Sequence, residues 1–111
     1  MSGYSVRIAP RGERDFDRII AWLAERSVSG AKKLEAAFGE AVRRLVENPF
    51  LYPLATADEW RRLGVRQDYF KTRHGRPYRA LFTVAESTVW ILHVRGPGQR
   101  GLDVIVPPPE E

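Results

Sequence analysis

Phe16, Ile19, Ile20 and Leu23 recur at i, i+3, i+4 and i+7, a single apolar stripe that predicts an amphipathic helix over residues 13–26. Glu13, Asp15 and Asp17 crowd its first turns and Arg26 its last, the order that complements the helix dipole. The run Ser27-Val28-Ser29-Gly30 reads as a turn, with Ser29 as N-cap of a second helix over residues 31–48. There Leu34, Ala37, Phe38, Ala41, Val42, Leu45 and Val46 keep the helical period, while Lys32, Lys33, Glu35, Glu40, Arg43, Arg44 and Glu47 take the other side. Asn48-Pro49 stops it, because proline disfavours helical geometry in the residue before it. Two such helices joined by a tight turn form a hairpin whose shared apolar stripe needs a surface to cover.

A period of two marks the strands. Residues 4–8 alternate, with Val6 and Ile8 set against Ser5 and Arg7, and Pro10 and Gly12 end that strand. Residues 63–70 are strand-like but polar, and His74-Gly75-Arg76-Pro77 is a turn. Residues 78–84 and 88–94 are stronger strands joined by the hairpin loop Ala85-Glu86-Ser87. Both carry large apolar residues on both faces, which predicts central strands with one face under the helices and the other face covered as well. Residues 102–106 add a candidate last strand, and residues 107–111, Pro-Pro-Pro-Glu-Glu, read as a solvated tail. The expected fold is α+β in the order β-α-α-β-β-β, a helical hairpin on an antiparallel sheet, forming one domain over residues 1–106.

Composition narrows the function classes. The chain has 111 residues and no cysteine, which excludes a disulfide scaffold, a thiolate metal site and a cysteine nucleophile. The first residues lack the apolar core of a signal peptide, and no apolar run approaches the roughly 20 residues that span a bilayer, so a cytoplasmic protein with no membrane partner is expected. Charge is unevenly placed. Residues 60–101 hold nine basic residues against Asp68 and Glu86, a net of +7, whereas the whole chain carries +4. Because this stretch is also the expected sheet, the pattern predicts a concave basic surface for an anionic partner.

Most local motifs fail on chemistry. Gly96-Pro97-Gly98-Gln99-Arg100-Gly101 fits the dinucleotide pattern, but the residues after it cannot start a helix, so no helix N-terminus awaits a pyrophosphate. His74 and His93 are the only histidines and have no metal-ligand spacing, so neither a metal nor a cofactor is expected. His74 lies in a turn. His93 lies in a strand in phase with Val89, Ile91 and Arg95, as a satisfied sheet histidine or as a proton-transfer group. The pattern that remains is Arg79 inside one strong strand and Arg95 at the end of the next. An arginine in a central strand costs desolvation unless it meets an anion, and Asp68 or Glu86 on a neighbouring strand is the structural alternative.

These features in this order resemble the RelE/ParE toxin superfamily of bacterial type II toxin–antitoxin systems, also called plasmid-stabilisation proteins. The resemblance rests on the N-terminal strand, the helical hairpin ending in Asn48-Pro49-Phe50-Leu51-Tyr52-Pro53, the segment Arg62-Leu63-Gly64-Val65-Arg66, Tyr78-Arg79 opening a strand, and the strand that ends Val94-Arg95-Gly96. It implies a toxin neutralised by a cognate antitoxin through an acidic, partly disordered segment, within a toxin–antitoxin hetero-oligomer. Trp22, Phe16, Trp60 and Trp90 are the candidate antitoxin contacts. In RelE-like members the resemblance implies cleavage of mRNA on the ribosome, with Arg79, Arg95 and His93 as the catalytic candidates. No Tyr follows Arg95 or Arg100, so only His93, His74, Lys71 or Tyr78 remain to activate a 2′-hydroxyl. The ParE-like branch, which poisons DNA gyrase without such groups, suits the sequence better. Arg66, Lys71, Arg73, Arg79, Arg95 and Arg100 would then contact the target. A basic nucleic-acid-binding module without toxicity is the third reading.

Overall fold

The expected α+β order is present, and the sheet it builds is mixed. The computed structural model describes residues 3–56 and 58–97, with Glu59 described by its backbone only; Arg100, the candidate strand 102–106 and the tail lie outside the described residues. The elements are β1 (Ser5–Ile8), α1 (Pro10–Ala24), α2 (Val28–Glu47), a 3-10 turn (Pro49–Leu51), α3 (Asp58–Arg62), β2 (Arg66–Phe70), β3 (Tyr78–Ala85) and β4 (Thr88–Arg95). The strand order is β1-β4-β3-β2. β3 pairs antiparallel with β2 and β4, but β1 runs parallel to β4, from Ser5 opposite Thr88 to Ile8 opposite Ile91. A wholly antiparallel sheet is therefore corrected. Parallel neighbours need a long connection, and everything between β1 and β4 supplies it.

Both helix starts differ from the expected ones. Pro10 does not end β1 and leave a gap; it opens α1, where its fixed φ suits the first turn and its missing N–H satisfies no bond anyway. Gly12 lies in that first turn because the helix passes against the backbone of β4. A Cβ there would sit 2.9 Å from the Ile91 carbonyl oxygen and 3.3 Å from Leu92 C. The cap of α2 is Ser27 rather than Ser29: its Oγ accepts the Gly30 N–H at 2.9 Å. At the far end the Asn48 side chain accepts the Phe50 N–H at 3.0 Å, which ends α2 and starts the 3-10 turn.

The helical hairpin covers one face of the sheet. Leu34, Phe38, Ala41 and Leu45 of α2 bury against Phe70, Ala80, Phe82, Val89, Ile91 and Val94, and Phe16 of α1 stacks on Phe38 with ring centroids 4.3 Å apart. On the same face, buried Asp68 of β2 meets Arg44 of α2 at 3.3 and 3.4 Å. Burial raises the Asp68 pKa above its ordinary value, and the opposing pull of Arg44 is the smaller effect.

The second face is also covered, as its apolar residues demanded. The cover is the chain between α2 and β2: Ala55, Trp60 and Val65 pack with Ala9, Leu81, Trp90 and Leu92 in a separate core. The strand expected from residue 63 is shortened for this purpose. α3 carries Trp60 inward, Gly64 turns the chain at φ 72°, and β2 begins only at Arg66. Ala55 N–H then bonds Val65 O at 2.8 Å and Gln67 N–H bonds Pro53 O at 3.0 Å, sealing the start of the outer edge of β2.

Gly12→Ala forces a methyl group into the β4 backbone, and its expected cost is about 1–3 kcal/mol. Gly39→Ala on exposed α2 meets nothing within 4 Å and should stabilise by about 0.5–1 kcal/mol through helix propensity. Chemical denaturation of the two variants checks the pair; a Gly12 variant as stable as the parent would show that α1 does not press on β4.

Candidate functional site

A β-bulge decides which side chains meet. Leu81 pairs with His93 while Phe82 pairs with Ile91, so Leu92 is an extra residue in β4. An unbroken period of two puts His93 and Arg95 in phase with Val89 and Ile91. The bulge reverses that phase. Val89, Ile91 and Val94 face the helices, whereas His93 and Arg95 turn to the face of Leu81 and Arg79.

Arg95 now stands directly opposite Arg79, and Tyr69 of β2 stands opposite Arg79 on its other side. Like charges facing each other across an antiparallel pair repel. Neither structural alternative relieves Arg79. Asp68 is on the helix face with Arg44, and Glu86 sits at the hairpin tip with φ 57°. The Arg79 side chain makes no hydrogen bond or ion pair among the described residues, although the residue is half-buried.

Beside this pair, α1 closes the stretch of β4 that β1 leaves. Asp15, 7% exposed, accepts the Val94 N–H through Oδ2 at 3.1 Å and Arg11 Nε through Oδ1 at 3.2 Å. His93 Nδ1 lies 3.4 Å from the same Oδ2, and neither ring nitrogen makes a hydrogen bond. Burial pushes the His93 pKa below its ordinary value. Asp15 opposes the shift, and the charges of Arg11 and Arg95 reinforce it. A neutral imidazole only 2% exposed results. It is the satisfied-packing alternative in position, yet not in hydrogen bonding.

The other basic candidates do not join the pair, and the expected single concave surface is divided. Arg66 points to the opposite face, where its Nη1 donates to Tyr52 O at 2.6 Å and its guanidinium lies 5.2 Å from the Phe50 ring centroid. Lys71, Arg73, His74 and Arg76 belong to the exposed loop between β2 and β3, with Lys71 Nζ 3.5 Å from Arg73 O. Arg61 and Arg62 are exposed on α3.

The antitoxin candidates separate as well. Trp60 and Trp90 are 3% and 7% exposed, held by the second core, so neither indole is presented at the surface. Phe16 is half-buried in the helix layer against Phe38. Trp22 is 52% exposed with the Arg26 guanidinium 3.8 Å from its ring centroid. It lies on a groove of about 600 Å³ lined by Arg18, Ile19 and Leu23 of α1, Leu34 of α2, and Arg76 and Tyr78 beside β3. Burial raises the Tyr78 pKa, with Arg76 opposing, so its phenol stays protonated. The sequence signal for the groove was Trp22 itself, an indole beside the apolar stripe rather than on it. Arg18, Arg76 and Tyr78 come from elements that only the fold brings together.

Among the described residues, no group of three metal-ligating side chains is present, and no helix is long and apolar enough to cross a membrane. The chain thus folds as a strand, two helices and three further strands in one mixed sheet. The sequence profile of the ParE toxin of type II toxin-antitoxin system, parDE, matches residues 6–100. The chain therefore belongs to the ParE toxin family and is the toxin of a type II pair with an antitoxin partner. No protein of curated function matches the chain as a relative.

His93 generates a pH test. Unfolded, its imidazole takes up a proton near pH 6.5; folded, its depressed pKa keeps it neutral. The unfolded state thus binds more protons below about pH 6.5, and stability is full above that pH and falls as pH drops through it. Denaturation midpoints between pH 7.5 and 5.5 should fall more in the parent than in His93→Gln. Equal slopes in both would show that His93 titrates normally in the fold.

Proposed function

We propose that this toxin acts by protein–protein contact on DNA gyrase, stopping DNA replication, with Arg79 and Arg95 as its contact residues. The observation that carries this reading is the cross-strand pair itself: two half-buried guanidiniums on a rigid sheet, with no carboxylate answering Arg79 among the described residues. An acidic patch on a partner relieves their repulsion, and complementary charge of this kind fixes register and speeds encounter. Ribonuclease chemistry needs, in addition, a group to take the proton from the 2′-hydroxyl. His93 is enclosed behind the pair, and Tyr78 belongs to the opposite face with a raised pKa. The site offers charge without an accessible base, which favours contact over cleavage.

The antitoxin, in this reading, lays an acidic, apolar segment into the groove beside Trp22. Ile19, Leu23 and Leu34 supply apolar contact, while Arg18, Arg26 and Arg76 supply the opposite charge. Neutralisation then takes place in the cytoplasm, where the pair would be made together.

Regulated expression in bacterial cells, with DNA and protein synthesis followed separately by isotope incorporation, tests the target. DNA synthesis should fail first. Purified protein should inhibit gyrase supercoiling, and Arg79→Ala should abolish the inhibition while leaving thermal stability equal or higher, since the repulsion across the pair is removed. Protein synthesis failing first, with mRNA cut on ribosomes, would contradict this reading in favour of the ribonuclease.

A further inference from the structure

Tyr69 is held in place twice, although its ring packs in neither core and the residue is 51% exposed. Its carbonyl oxygen accepts Arg44 Nη2, which reaches over from α2, at 3.3 Å. Its hydroxyl accepts Gln67 Nε2 at 3.4 Å. Gln67 is only 6% exposed, and its Oε1 is buried with no partner among the described residues. An unpaired buried acceptor costs stability, so the fold keeps this amide at its own expense. The register then sets Tyr69 beside the arginine pair: Tyr69 pairs with Arg79, and Arg79 with Arg95. Three neighbouring strands carry one row, about 10 Å across by the spacing of strands.

We propose that Tyr69 is the third contact residue of this row and Gln67 its positioning residue, and that the row takes a carboxylate flanked by an apolar side chain on a protein partner. The inference rests on the contact reading given above, in which the arginine pair meets an acidic patch of the target.

Donor chemistry favours that occupant. A guanidinium only donates, and a tyrosine hydroxyl that already accepts from Gln67 has its own proton left to give. The row therefore offers donors, and a carboxylate answers them with two acceptor oxygens. The half-exposed ring adds apolar contact, and a fixed aromatic loses little conformational freedom on binding. Tyrosine and arginine are also among the residue types that carry most of the energy of protein contacts. A nucleic-acid strand needs instead a track of cations along its backbone. Arg66 is turned to the opposite face and Arg11 is held by Asp15, so two guanidiniums side by side form a point rather than a track.

Gyrase supercoiling measured with variants of the full chain tests the row. Tyr69→Ala should raise the toxin concentration for half-inhibition at least about tenfold. Tyr69→Phe and Gln67→Leu should each raise it about two- to tenfold. The double variant should do no more than either change alone, because Gln67 acts through the hydroxyl. Gln67→Leu should also leave the denaturation midpoint equal or higher, since the unpaired acceptor is gone; a glutamine with a merely structural role would lower it. Full inhibition by Tyr69→Ala, or additive effects of Tyr69→Phe and Gln67→Leu, would overturn the proposal. So would a fluorescein-labelled single-stranded oligothymidylate that binds the parent and is released by Arg79→Ala, because the occupant would then be nucleic acid.

Growth arrest at matched expression separates this inference from the gyrase reading. If the parent leaves supercoiling untouched while growth arrest weakens from parent to Tyr69→Phe to Tyr69→Ala, the gyrase reading fails and the row stands. If parent and Tyr69→Ala inhibit supercoiling equally, the row fails and the gyrase reading stands.

Discussion

The structure depends on how α1 crosses the edge of β4. β1 pairs with β4 only as far as Ile8 and Ile91, and the chain then turns up into a helix at Pro10. This leaves the end of β4 with an exposed edge, a liability in any sheet. Gly12 lets the helix lie against that edge, and the Asp15 carboxylate takes the place of the missing strand by accepting the Val94 N–H. A backbone donor that would otherwise be buried without a partner costs about 1–3 kcal/mol, so this one carboxylate supports the whole end of the strand.

The bulge at Leu92 follows from the same place. One extra residue in β4 leaves Leu92 in the second core and turns His93 toward Asp15 and Arg95 toward Arg79. Without it, Arg95 would share a face with the helices and be drawn into the apolar core. The fold thus places a cation pair on the sheet by a local change of register, then encloses the adjacent histidine so that it stays neutral. Charge is placed on the two central strands of the sheet, between the two packed cores. The groove at the other face is built differently, from helix surface and loop, and it takes apolar contact first and charge second.

Much of this was legible in the chain. The helices were, because a 3.6-residue stripe is a local signal: Phe16 to Leu23 and Leu34 to Leu45 declare their inner faces without reference to any other element. The β3–β4 hairpin and the need for a second cover were legible for the same reason. Non-local features were not. β1 pairs parallel with a strand some eighty residues away in sequence, by the separation of Ser5 from Thr88, and no local pattern records that. α3 is five residues long, too short for a periodic signal, so Trp60 read as a surface contact although it anchors the second core. The site was half legible. Arg79 and Arg95 stood out by charge in apolar strands, but an unbroken period of two placed His93 and Arg95 on the wrong face. Arg66 seemed to belong with them until β2 turned it toward Tyr52. Family membership gives the class of toxin, while the target itself is a question of contact.

The exchange rate of the Val94 amide, measured by hydrogen–deuterium exchange and NMR on the native protein, tests the central claim most directly. If Asp15 replaces the absent strand, this amide exchanges as slowly as those of the β3–β4 ladder, and Asp15→Ala makes it exchange fast while Ile91 stays protected. A Val94 amide that already exchanges fast in the parent would mean that the edge of β4 is open, and that the register placing Arg95 against Arg79 has no lock.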